Sequence, residues 1–364
     1  MANPYASLPD FAFWRRVVAS LPPAEVDPVV DVPFRINKHH LVATAGSCFA
    51  QHISRTLLSE GFSYLVTETK PATSDASDEG YGVFPARFAN VYTVRQLLQL
   101  FQRAYGLFEP VDSAWQRPDG AWVDPFRPRI QAVGFPTQDA VIADRDVHLA
   151  AVRSMFEQCE VFIFTLGLTE CWASTVDGAV FPLAPGVEAA GDDMSAYAFH
   201  NCEVGEMTAD LLTFIDWLRR LNPGVRIVLT VSPVPLVATY ERRHVLVSTT
   251  YSKAALRVVA DCVCRARDGV AYFPAYEIVT GPQAAGRFYE ADLREIRPEG
   301  VAHVMATFRR HFLADTCEPL VEFTAAVNSQ SNVEAQRQRM QQLEGLICDE
   351  EVLDVPPPAD GGRT

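Results

Sequence analysis

The chain has 364 residues and a net charge of −14, with 48% hydrophobic and 21% charged residues, the make-up of a globular protein with room for one large domain or two small ones. Lys and Arg total 31 against 45 Asp and Glu, so the chain lacks the basic balance that nucleic acid or an anionic membrane calls for, and neither partner is expected. No apolar run approaches the roughly 18–20 residues of a membrane span, the opening MANPYASLPDFAFWRR does not read as a secretory leader, and the eight cysteines are scattered without a CxxC pair. They are expected to be reduced and mostly buried, in a cytoplasmic protein.

In chain order, residues 1–35 are Pro-rich and read as an extended arm. LVATAG (41–46) reads as a short buried strand and FAQHISRTLLSEGF (49–62) as an amphipathic helix that stops at Gly61. Helices are predicted at about 91–105 and 144–158, on either side of a long Pro- and aromatic-rich loop, 108–138, of the kind that often carries function. VFIFTLG (161–167), RIVLTVS (226–232) and GVAYFPAY (269–276) read as buried strands, because a continuous apolar run suits a parallel strand covered on both faces. Helices at about 203–221, 249–265 and 299–313 complete the rhythm of a three-layer α/β/α fold with a parallel central sheet. The expected domain is 36–315. A linker and a Gln- and Arg-rich amphipathic helix follow at 316–348, with the helix as the expected homo-oligomer contact, and the acidic, Pro-rich 349–364 reads as a disordered tail.

In open α/β sheets, sites form beyond the carboxyl ends of the strands. The first strand leads into Gly46-Ser47-Cys48-Phe49, two nucleophile-type side chains at the start of a helix. Free N–H groups and the dipole there favour a thiolate or an acyl-transfer oxyanion. The structural alternative is that Ser47 caps the helix and Cys48 is a small buried hydrophobe. The second buried strand leads into Gly167-Leu168-Thr169-Glu170. Glu170 reads equally as an acid/base or as the partner of Arg87 or Arg129. Lys253, which opens a helix, reads as solvated, and Asp124 and Arg127 as shaping a polar pocket. There is no GxGxxG fingerprint, P-loop, HExxH or GxSxG elbow, and no His/Cys/Asp cluster with metal-ligand spacing, so no cofactor and no metal is expected.

Gly46-Ser47-Cys48-Phe49-Ala50 resembles the name-giving motif of the GSCFA-domain family, which is grouped with the SGNH/GDSL hydrolases. LLSEGFSYLVTE (57–68), YGVFPARFANVYTVRQLLQLF (81–101), VDPFRPRI (123–130), FTLGLTECW (164–172), FHN (199–201), LTVSPVPL (229–236) and YFPAYEI (272–278) are similar to further family blocks in the same order. The resemblance implies an esterase or O-acyltransferase acting on a small-molecule or carbohydrate ester. A gap-free register puts Cys48 on the superfamily's nucleophilic Ser; a shift by one puts Ser47 there. The implied oxyanion and pocket residues are Gly46, Gly82, Asn90, Gly167, Thr169 and Glu170, with Thr169 where the superfamily has Asn. In the last block, Asp292 stands for the acid, but the His three residues on is replaced by Glu295. His200 and His303 are the candidate bases, and His52, one turn after Cys48, is a minor one. The missing His leaves a second reading open: a binding or assembly module that kept the fold and lost catalysis.

Overall fold

The computed structural model describes residues 3–70, 80–191, 193–314 and 349–354. Four parallel strands, β1 (Val42–Gly46), β4 (Val161–Leu166), β8 (Arg226–Val231) and β9 (Val270–Phe273), form a sheet in the order β1-β4-β8-β9. Beyond β1, Tyr64 bridges Val42 in parallel, and Leu65 N–H donates to the Val42 carbonyl at 2.9 Å. The chain therefore leaves β1 in one direction and returns to β4 on the other side. That reversal, between β1 and β4, is where doubly wound sheets open a crevice for ligands.

Alternate strand residues feed two cores, as the period of two requires. Ala43, Ala45, Phe162, Phe164, Ile227 and Leu229 face α2 (Val94–Ala104), α3 (Gln138–Gln158), α4 (Val204–Leu221) and α5 (Val245–Ala266). Val42, Val161, Ile163, Val228 and Phe273 face α1 (Ala50–Ser59), α6 (Ala275–Thr280) and α7 (Pro298–Phe312). This is the expected three-layer α/β/α arrangement. Two helices start earlier than their apolar periodicity suggests. Thr137 caps α3 by accepting from Ala140 N–H at 3.1 Å, and His244 Nδ1 accepts from Leu246 N–H at 3.1 Å at the start of α5; both caps satisfy donors ahead of the first buried residue.

The arm reaches the body through Val26, which is buried, and through Val29, Val32 and Phe34 packed on the second core. Ile36 N–H then donates to the Phe312 carbonyl at 2.7 Å, and Ala314 N–H donates to the Ile36 carbonyl at 2.8 Å, which ties the segment ahead of β1 to the end of α7.

Two small antiparallel sheets were not anticipated: β2 (Trp115–Gln116) with β3 (Trp122–Val123), and β5 (Glu170–Ser174) between β6 (Val180–Phe181) and β7 (Tyr197–Asn201). Trp115, Val123, Phe126, Phe181 and Tyr197 form their own apolar cluster. Beneath the aromatic loop, Asp124 and Arg127 are fully buried and bonded to each other at 2.9 Å, so they brace the loop instead of opening a polar pocket. The expected amphipathic helix and its oligomer contact, at 316–348, lie outside the described residues. Residues 349–354 depart from the expected disordered tail: Asp349–Asp354 forms a short 3-10 turn in which Asp349 and Glu350 are buried.

Candidate active site

The site is built around Gly46. Its φ is +135°, and a Cβ there would lie 2.3 Å from the Thr165 carbonyl oxygen, so only glycine lets β1 end this close to β4. Ser47 N–H donates to that same carbonyl at 3.2 Å. Gly46→Ala is expected to cost ~3 kcal/mol or more and to lower the melting temperature by about 5 °C or more; a calorimetric scan matching the native protein would contradict this.

Ser47 does not cap α1. The helix opens at Phe49 without a side-chain cap, and Ala50 N–H instead donates to the Ser47 carbonyl at 2.9 Å, a tight backbone turn that does the same work. Ser47 Oγ is buried and has no hydrogen-bond partner among the described residues. Its Cβ lies 3.2 Å from where a Gly167 Cβ would stand, so Ser47 faces the exit of β4. Cys48 is buried as well, at 5% exposure.

The segment 90–92 closes one side. Val91 N–H donates to the Gly46 carbonyl at 2.9 Å, and the Tyr92 carbonyl accepts from Gly167 and Leu168 N–H at 3.1 and 3.0 Å. Ala89 has a φ of +60°, a turn that non-glycine residues seldom make, just before the fully buried Asn90. Thr169 is fully buried; its N–H donates to Ser252 Oγ at 3.1 Å, and its Oγ1 has no partner among the described residues. Gly82 has a φ of +81° with open space around its missing side chain.

Lys253 is the residue the sequence misjudged. It is 1% exposed, not solvated, and its Nζ donates to the Gly167 carbonyl at 2.7 Å. Burial lowers its pKa to about 8, against the opposing pull of Glu350 and of the Cys48 thiol, both within electrostatic reach. A signal was available: Lys253 stands three residues before Leu256 and seven before Ala260, on the stripe of α5 that faces the core. A charge on such a stripe is rarely idle.

The candidate bases are held elsewhere. His200 lies in β7, not in a loop; it is largely exposed, and its Nε2 is 2.8 Å from Glu206 Oε2. His303 stacks on Phe288 with ring centroids 5.6 Å apart, and burial lowers its pKa. His52 packs edge-on against Phe49 at 5.2 Å, and burial, then Arg55, lower it to about 4. Asp292 is exposed and accepts the N–H groups of Arg294 and Glu295, the work of a turn. Glu170 accepts from Thr239 Oγ1 at 2.7 Å and from Tyr240 N–H at 3.2 Å, while Arg87 pairs with Glu68 and Asp144 and Arg129 with Glu188.

An apolar cavity of about 430 Å³ adjoins these strand ends, lined by Tyr92, Leu168, Trp172, Phe181, Leu236 and, from the C-terminal turn, Glu350 and Leu353. Separately, His200, Cys202 and Glu206 place potential ligand atoms within 4.8 Å of one another, a nearness their spacing did not suggest. Arg95 Nη2 already bonds Glu206 there at 3.0 Å, and its charge opposes a cation. Of the six cysteines among the described residues, Cys48, Cys159, Cys171 and Cys202 are buried, Cys264 is half-buried and Cys262 is exposed; no disulfide joins any two of them.

A parallel α/β/α sheet with nucleophile-type side chains at its switch point defines the class of protein. The GSCFA family model matches residues 41–308, most of the chain, and the chain belongs to the GSCFA family. No curated protein and no solved structure matches it. No helix among the described residues is long and apolar enough to cross a membrane.

Proposed function

We propose that the chain is an esterase or O-acyltransferase in which Cys48 is the nucleophile and Lys253 its base. The observation that carries the reading is the buried amine of Lys253, fixed on the Gly167 carbonyl and within electrostatic reach of Cys48. A lysine brought down to about 8 holds enough neutral amine near pH 7 to take a proton. Nζ accepts the thiol proton, the sulfur attacks the ester carbonyl carbon, and the carbonyl oxygen becomes an oxyanion. This reading assigns the Asn90 amide and the buried Thr169 hydroxyl, whose Oγ1 has no partner among the described residues, as the donors that receive it. The Lys253 ammonium then returns its proton to the leaving alkoxide, and water or an acceptor hydroxyl releases the acyl group from sulfur. A lysine base removes the need for the histidine that Glu295 replaces. The likeness to SGNH hydrolases adds the carbohydrate ester to the reading.

With p-nitrophenyl acetate, Cys48→Ala is expected to lower turnover at least about 10³-fold, and an acid-quenched sample of the native chain should carry one acetyl group on Cys48. If Ser47→Ala alone abolishes turnover while Cys48→Ala leaves it intact, Ser47 is the nucleophile.

The second reading, a binding module without catalysis, is favoured by the engagement of His200 with Glu206 and of His303 with Phe288. Equal inertness of the native chain and the Ser47/Cys48 double alanine across acyl esters would select it.

A further inference from the structure

Among the described residues, Asp349–Asp354 is the only piece of chain beyond Ala314, and it lies in the site. Asn90 Nδ2 donates to Asp349 Oδ2 at 2.9 Å, Asp349 N–H donates to the Tyr92 hydroxyl oxygen at 3.1 Å, and Arg294 Nη2 donates to Glu350 Oε2 at 3.1 Å. Glu350 and Leu353 also form part of the cavity wall. The two carboxylates are 5% and 6% exposed. Acidic groups are seldom buried this far, and each costs several kcal/mol unless partners are provided. Here the partners lie at the carboxyl end of the sheet. Asn90 adjoins the Val91–Gly46 bond, and Arg294 comes from the loop between α6 and α7.

Each part of the turn therefore occupies a place with its own chemistry. The Asp349 carboxylate lies on the amide assigned above to the oxyanion. The Glu350 carboxylate lies on a guanidinium that an oxyanion can engage in a fork. The Leu353 side chain lies at the apolar cavity. A local cationic receptor within a chain of net charge −14 is a selective feature, not a general surface property.

We propose that the substrate of the Cys48 site is an ester carrying a carboxylate, bound by Arg294 with its apolar part in the 430 Å³ cavity, and that the Asp349–Asp354 turn holds this place as an internal ligand. The proposal rests on the reading of Cys48 as nucleophile only for the word ester; the receptor itself can be tested by binding. Glu350 also raises the pKa of Lys253, so the seated turn favours the protonated amine and quiets the base. Departure of the turn opens the receptor and frees the amine together.

The test is calorimetric, on the full chain. The probe is the acetylated hexapeptide Asp-Glu-Glu-Val-Leu-Asp, titrated into the native protein and into the D349A/E350A variant, with Leu353→Ala as a second variant that leaves both carboxylates in place. The peptide should bind D349A/E350A at least about tenfold more tightly than the native chain, because the internal competitor is gone, and Leu353→Ala should fall between them. A control peptide with Asn and Gln for its first two residues should lose that binding, and Arg294→Met added to D349A/E350A should abolish it. Equal binding to native and variant chains, no binding to either, or undiminished binding of the amide peptide overturns the proposal. Ester turnover is read in parallel and should rise severalfold in Glu350→Gln; a fall there makes Glu350 part of the machinery and also overturns it. If the binding differences hold while no chain turns over esters, the receptor stands and the esterase reading fails.

Discussion

Lys253→Met is expected to reduce turnover of p-nitrophenyl acetate by about 10²–10⁴-fold, the usual contribution of a positioned base. Lys253→Arg should not restore it, since a guanidinium keeps its proton at any working pH. Burial lowers the Lys253 pKa to about 8, so the deprotonated, competent form gains as pH rises. The native chain should therefore show a rising limb of kcat/KM centred near that value, and the limb belongs to the Cys48–Lys253 pair, not to either group alone. The variant should lose the limb as well as the rate. Turnover in Lys253→Met within about threefold of native would remove lysine from the chemistry and return the question to His200 and His303.

The largest stability effect is expected from Asp124→Ala. Asp124 is fully buried between Arg127 and Arg145, bonded at 2.9 and 2.8 Å. Burial pushes its carboxyl up, but Arg145, Arg127 and Arg103 outweigh burial and hold it well below the usual carboxylate range. Removing it strands buried cations, a loss of about 3–5 kcal/mol, to be read from urea unfolding at pH 7. The pH dependence has a definite sign. A depressed native value means that the contribution is complete above the unfolded value of about 3.9 and is lost as pH falls towards the native one. The difference between native and variant should thus shrink below about pH 4. A difference below about 1 kcal/mol at pH 7 would mean that the ring of arginines is satisfied without Asp124.

The central sheet was legible because its strands are apolar without interruption. VFIFTL (161–166) is buried at every position, and no surface strand has that composition. The helices showed in their stripes, and their starts drifted where a Thr or His cap extended them. The β5–β7 sheet escaped notice because its strands run only two to five residues and mix Glu170, His200 and Asn201 with their apolar neighbours. At the site, Gly46, Ser47 and Cys48 stood out as residues a strand end does not need for packing. Lys253 and Asp349–Asp354 did not, for opposite reasons. The stripe that implicates Lys253 was present but was outweighed by the habit of charged residues to face water. The acidic turn has the composition of a solvated tail, and only the folded position of Arg294 and Asn90 gives it a reason to be buried.

The bonds between Ile36 and the Phe312–Ala314 segment bear on how the chain acquires its structure. Ile36, just ahead of β1, makes its backbone pairing with the end of α7, so these contacts join residues far apart in the sequence. Such closures are entropically costly and come late. On the ribosome, β1 and α1 emerge early but cannot acquire this neighbour until α7 has been made. Until then the core that α1 shares with α7, Ile53 and Leu57 included, lacks part of its cover. The interval between those two events is when the nascent domain is most exposed to aggregation.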